Sequence, residues 1–149
     1  MRPERDLSIG GQAVNRIAYL PETEAWWVRA LRLWCDGEDG QAALREQLTR
    51  HLGRDGSDMF FARFTDLIAL MLRHGRRPMI HHHLNCEAVG ADEAVFALFC
   101  AQAVGDREEA MMIACLILRA DVAPIAVSLA QTLGLDLMRG ARVPREKLN

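Results

Sequence analysis

Apolar residues recur at helical spacing along most of the chain and divide it into a series of short amphipathic segments. The first runs from Pro21 to about Cys35. Trp26, Ala30 and Trp34 stack at i, i+4 and i+8, with Trp27 and Leu31 beside them and Arg29 and Arg32 assigned to the other face. Pro21 suits a helix entry, Glu22 and Glu24 favour the first turn, and Asp36-Gly37 ends the segment. A second, more polar helix is expected from about Gly40 to Leu52, closed by Gly53, with Ala43, Leu44, Gln47 and Leu48 as its inner stripe. A third, capped by Ser57 or Asp58, carries Phe60, Phe64, Leu67, Ile68 and Met71 to about His74, where Gly75 stops it.

The second half of the chain is more uniformly apolar. Asp92 opens a helix to about Val104. Glu108 and Glu109 open another that is apolar from Ala110 to Leu118, and Asp121 opens a last one ending at Gly134. Helices apolar on all sides belong at the centre of a fold. The Glu108 helix, with the Asp92 helix, is therefore expected to form a hub. Val95, Leu98, Phe99, Met112, Ile113, Leu116 and Ile117 are expected to be buried, with Cys100 and Cys115 buried and unpaired. On that reading Leu116→Ala costs about 2–5 kcal/mol through the cavity it leaves.

Two stretches break the pattern. Ser8, Gly10 and Gly11 suggest a loop, followed by a turn or two of helix between Ala13 and Leu20. Residues 75–90 form the longest interruption: Gly75 favours a helix end, Pro78 removes a backbone donor, and His81 to Asn85 lack helical spacing. This segment is expected to be an irregular connector between a tryptophan-bearing half and the hub. No strand is expected. The chain reads as an all-α protein, a compact bundle of five to seven short helices with a central apolar helical pair. It is assigned to one domain, residues 1–149, with a basic tail at about 139–149.

Composition supports a folded chain. Of 149 residues, 50% are hydrophobic and 26% charged, unlike a disordered polypeptide. The net charge of −2 gives no bulk attraction to nucleic acid or to an anionic membrane. The charge is unevenly placed. Residues 17–40 and 84–138 are acidic overall, Arg63, Arg73, Arg76 and Arg77 make the middle basic, and Arg139, Arg142, Arg145 and Lys147 make the C-terminus basic. The longest apolar run, Ala110 to Leu118, is far shorter than the roughly 20 residues of a membrane span. No secretion signal is read at the N-terminus, so a cytoplasmic protein with reduced thiols is expected.

Motifs that would carry chemistry are mostly missing. The sequence has no Gly-x-x-x-x-Gly-Lys, no Gly-x-Gly-x-x-Gly, no Glu-x-x-His and no Cys-x-x-Cys. Ala130-x-x-x-Gly134 has the spacing of a helix-turn-helix, but Gly140 and Pro144 spoil the helix that should come next, so DNA reading is not expected. The remaining oddity is His81-His82-His83-Leu84-Asn85-Cys86. In extended backbone His81 and His83 share a face, and a turn at Leu84-Asn85 returns Cys86 toward them. Two imidazoles and a thiolate suit zinc, with a fourth ligand from water, Glu87 or Asp92. The same segment also reads as a solvated connector or as the end of a cationic run that pairs with acidic surface.

The favoured function is that of a small non-catalytic helical protein, a protein-interaction or regulatory module. A homodimer is expected, with the tryptophan helix as its interface. The alternative is a zinc-like metal protein using His81, His83 and Cys86. A third reading is an enzyme built on Cys86 with His82 or His83 as base, for which the sequence supplies no orienting group.

Overall fold

The computed structural model describes residues 9–142. Of the loop expected at Ser8, Gly10 and Gly11, Ser8 lies outside the described residues and Ile9–Gly11 form a 3₁₀ turn; the basic tail beyond Arg142 also lies outside them. Five α-helices carry the fold: α1 (Glu22–Cys35), α2 (Glu38–His74), α3 (Ala91–Gly105), α4 (Arg107–Ile117) and α5 (Ala123–Arg142). The all-α class read from the periodicity holds. The helices expected on either side of Gly53 form one path broken at that glycine alone, whose φ of 79° and ψ of 173° suit a residue without a Cβ. Ser57 caps nothing. Its hydroxyl is buried and donates across the break to the Arg45 carbonyl at 3.2 Å.

Two short strands were not expected. β1 (Ala13–Arg16) and β2 (Ala88–Gly90) pair antiparallel, with Ala13 opposite Gly90 and Asn15 opposite Val89. Bonds from Ile17 N–H to the Glu87 carbonyl and from Ala91 N–H to the Gln12 carbonyl extend the ladder. Of the helical turns expected at Ala13–Leu20, a 3₁₀ turn at Ile17–Tyr19 is present. The local preference is overridden because residues 86–90 are fixed from within the fold and offer β1 a partner.

The core is aromatic on one side and small on the other. Trp27 lies 6.2 Å from Phe60, nearly parallel to it, and 5.9 Å from Phe64, which in turn meets Phe96 at 6.3 Å. α3 is the hub and packs against α1, α4 and α5, burying Phe96, Ala97, Phe99, Cys100 and Ala103. α5 approaches α3 on a row of buried small residues, Ala123, Ala126, Ala130 and Gly134. A Cβ on Gly134 would lie 2.3 Å from Val104 Cγ2. The Ala130–Gly134 spacing therefore serves helix packing. The helix expected to end at Gly134 continues through it to Arg142.

The expected place of α4 is corrected. It buries Ala110 and Ala114 fully, while Ile113, Cys115 and Ile117 are half-buried. Met112 is 68% exposed, Leu116 75% and Val95 37%. Of the remaining hub positions, Phe99 and Cys100 are buried and Leu98 is half-buried. Mean apolarity does not choose a face. On α4 the two alanines allow the closest approach to α3 and α5, and the large residues on the opposite side are left on water. Phe64→Ala is thus expected to cost about 3–5 kcal/mol. Leu116→Ala should fall within about 0.5 kcal/mol of the parent when both are unfolded at concentrations low enough for single chains. Urea unfolding of the two variants checks both values.

Candidate functional site

Segment 75–90 is irregular, as expected up to β2, but it is a strap tied to the fold at several points. Its start is joined to the end of α4: Arg76 N–H donates to the Ile117 carbonyl and Arg119 N–H to the His74 carbonyl. Asp92, near the N-terminus of α3, accepts from Ile80 N–H at 2.8 Å and from both terminal nitrogens of Arg77.

The central tie is Arg32. The sequence placed it with Arg29 on the outer face of α1; Arg29 is exposed, but Arg32 is fully buried. Its Nε and Nη2 donate to the two oxygens of Glu93 at 2.6 and 2.8 Å. Nη1 donates to the Cys86 carbonyl and Nη2 to the Ala88 carbonyl, each at 2.7 Å. Glu93 also accepts from Gly90 N–H at 3.1 Å and from His82 N–H at 3.0 Å. It sits in the first turn of α3 and satisfies the backbone donor that precedes that helix, half of a capping box. Burial raises the Glu93 pKa, but Arg32 and the two N–H donors outweigh it and hold the carboxyl below its ordinary 4.5. No buried side-chain polar atom among the described residues lacks a partner.

The strap delivers one histidine to the cysteine, and it is His82. Its Nε2 lies 2.6 Å from the Gly11 carbonyl, so it carries a proton and donates there. Nδ1 then faces Cys86 Sγ at 3.5 Å. Gly90 lies under the ring: a Cβ there would come within 2.9 Å of two ring atoms. The Gly11 carbonyl, then Cys86, raise the His82 pKa. The hydrogen bond shared with His82, then the Ala88 N–H, lower that of Cys86. Cys35, by contrast, is pushed up to about 11 by burial and by nearby Glu93, and burial raises Cys100 well above the usual thiol range.

His81 and His83 are both exposed, and His81 Nδ1 lies against the His82 carbonyl at 3.1 Å. The set His81, His83 and Cys86 is not brought together, and among the described residues no three His, Cys, Asp or Glu side chains converge as a metal site would need. A different concavity, a cleft of about 670 Å³, opens between α1, α2, α3 and α5. Buried Trp27, Leu48 and Cys100 form its floor, and exposed Glu22, Thr23, Gln47 and His51 ring its mouth. Its polar groups therefore do not converge at depth. Trp26 stands edge-on to Trp27 in its wall, and Trp34 donates to Thr65 Oγ1 at 3.0 Å, so the tryptophans serve mainly the fold's interior.

Comparison with protein-family models, with curated proteins and with solved structures found no match to this chain.

Removing one member of a buried ion pair strands the other. Glu93→Gln is expected to cost about 3–5 kcal/mol at neutral pH. Because the folded Glu93 pKa is depressed, its contribution is present above its unfolded value and is lost as pH falls through the folded value. The gap between parent and Glu93→Gln should therefore narrow in acid. Denaturant unfolding at neutral and acidic pH measures both effects.

Proposed function

We propose that this protein is a non-catalytic interaction module, that the outer side of α4 is its docking face, and that a second copy of the chain covers it. The observation that carries the reading is the exposure of Met112 and Leu116, one turn apart on the same side of α4. Val95 extends the patch. With Leu116, Ile117, Met71 and Met79 it lines a shallow groove flanked by Arg76 and Arg77. Contiguous exposed apolar surface of this kind marks contact sites.

Charge favours a second copy as the occupant. Glu108 lies at the N-terminal end of the exposed row Glu108, Met112, Leu116. Arg119 stands just past the C-terminal end, exposed and paired with Asp121 at 2.9 Å, and Arg76 is anchored there through the Cys115 carbonyl at 2.9 Å. A two-fold axis crossing α4 between Met112 and Leu116 sets Met112 of one copy against Leu116 of the other. The same axis brings Glu108 toward Arg119 and Arg76. Such self-complementarity is the requirement of a two-fold interface.

Light scattering at high micromolar concentration should give twice the subunit mass. Leu116→Glu should give one subunit mass with native helix content, and its thermal midpoint should no longer rise with protein concentration as the parent's does. Glu108→Arg should weaken association, and adding Arg119→Glu should restore part of it. A single-subunit mass for the parent at that concentration would refute the second copy as occupant.

A further inference from the structure

We infer that Cys86 and His82 form a nucleophile–base pair and that Cys86 is a site of reversible modification by hydroperoxides. This chemistry is independent of the docking face on α4. An activated thiol needs a base within hydrogen-bond reach and a third group that orients the base. All three are present. Cys86 Sγ lies 3.5 Å from His82 Nδ1, and His82 Nε2 lies 2.6 Å from the Gly11 carbonyl. The ring packs over Gly90, where a Cβ would come within 2.9 Å of it and displace it. The sulfur is held too, because Arg32 fixes the carbonyl of Cys86 itself at 2.7 Å and bonds Ala88 two residues on.

The rest of the chain sharpens the contrast. Cys100 is buried in the core, and Cys35 and Cys115 are half-buried on helices. Cys86 lies on the strap outside the core and is half-buried like Cys35 and Cys115, so its partner rather than its exposure sets it apart. None of the other three has a histidine within hydrogen-bonding distance of its sulfur among the described residues. The pair's electrostatics agree with the geometry: the Cys86 pKa is lowered chiefly by His82, and the His82 pKa is raised first by the Gly11 carbonyl and then by Cys86.

A hydroperoxide suits the site because it asks only for a thiolate and a proton donor. The Cys86 thiolate attacks one peroxide oxygen, the S–O bond forms and the O–O bond breaks. Sulfur is oxidised by two electrons to the sulfenic acid, and the second oxygen leaves as hydroxide and takes the His82 proton to become water. A thiol returns this product to the starting state by way of a mixed disulfide.

The test treats the full chain with limiting hydrogen peroxide, traps sulfenic acid with dimedone and maps adducts by mass spectrometry. Cys86 should be labelled about tenfold or more faster than Cys35, Cys100 or Cys115. His82→Gln should slow Cys86 labelling by about tenfold or more while leaving the thermal midpoint near the parent's. Even labelling of the four cysteines, or preferential labelling at Cys115, would overturn the inference. So would a folded His82→Gln that reacts at the parent rate. The four-way comparison is made in the unaltered chain, so it decides the matter even where the variant fails to fold.

Discussion

Two opposite charges taken out of water hold this molecule in its particular arrangement. Arg32 and Glu93 are each fully buried, on α1 and α3, helices that pack side by side. Desolvating such a pair costs several kcal/mol per ion, and the attraction offsets it only when the remaining donors and acceptors are also satisfied. Here the backbone of residues 82–90 supplies those partners: two carbonyls to Arg32 and two N–H groups to Glu93. The strap and the ion pair therefore need each other. Without the strap the charges are under-bonded, and without the charges nothing fixes the strap's register. β1 pairs with β2 on this foundation, and His82 meets Cys86 because both flank the same anchor.

The helices were legible because their periodicity is strong, and the all-α class came from it. What failed was the choice of face. Val28 and Leu31 are buried, and Arg32 stands at i+4 from Val28. Helical spacing alone thus put an arginine on the apolar stripe, a signal that the charge-based assignment to the outer face ignored. Glu93 also had a signature, a glutamate in the first turn of a helix three residues after Gly90. α4 misled in the opposite direction. Its letters are those of a core helix, but its two alanines set the contact and its methionine and leucine face out. The site was half legible. Segment 81–86 drew attention for its histidines and cysteine, yet the partner of Cys86 is the middle histidine. That choice is set by Gly11, about 70 residues away in the chain, which local spacing cannot reveal.

Charge blocks visible in the sequence find much of their purpose inside the chain. Arg77 answers Asp92, while Arg63 and Arg139 converge on Asp136 of α5. These partly exposed pairs contribute little stability each. Their effect is on placement, since Arg63 and Arg77 tie the basic middle of the chain to the acidic second half while Arg139 pairs within α5. The buried pair and the exposed pairs thus divide the work between fixing the interior and aligning the surface.

The single-residue joint at Gly53 makes chain length a structural variable. On one side Leu44 and Leu48 face the interior, and on the other Phe60, Phe64, Leu67, Ile68 and Met71 do. Each residue added to an α-helix rotates the remainder of the helix by about 100°. One extra residue in either flanking turn, or one lost, would swing one set of core side chains toward solvent while the other stayed in place. The Ser57 bond to Arg45 spans this joint and ties its two flanks together. Point substitutions at exposed positions of α2 can accumulate there, whereas insertions and deletions beside the joint cannot: the helix keeps count of its residues.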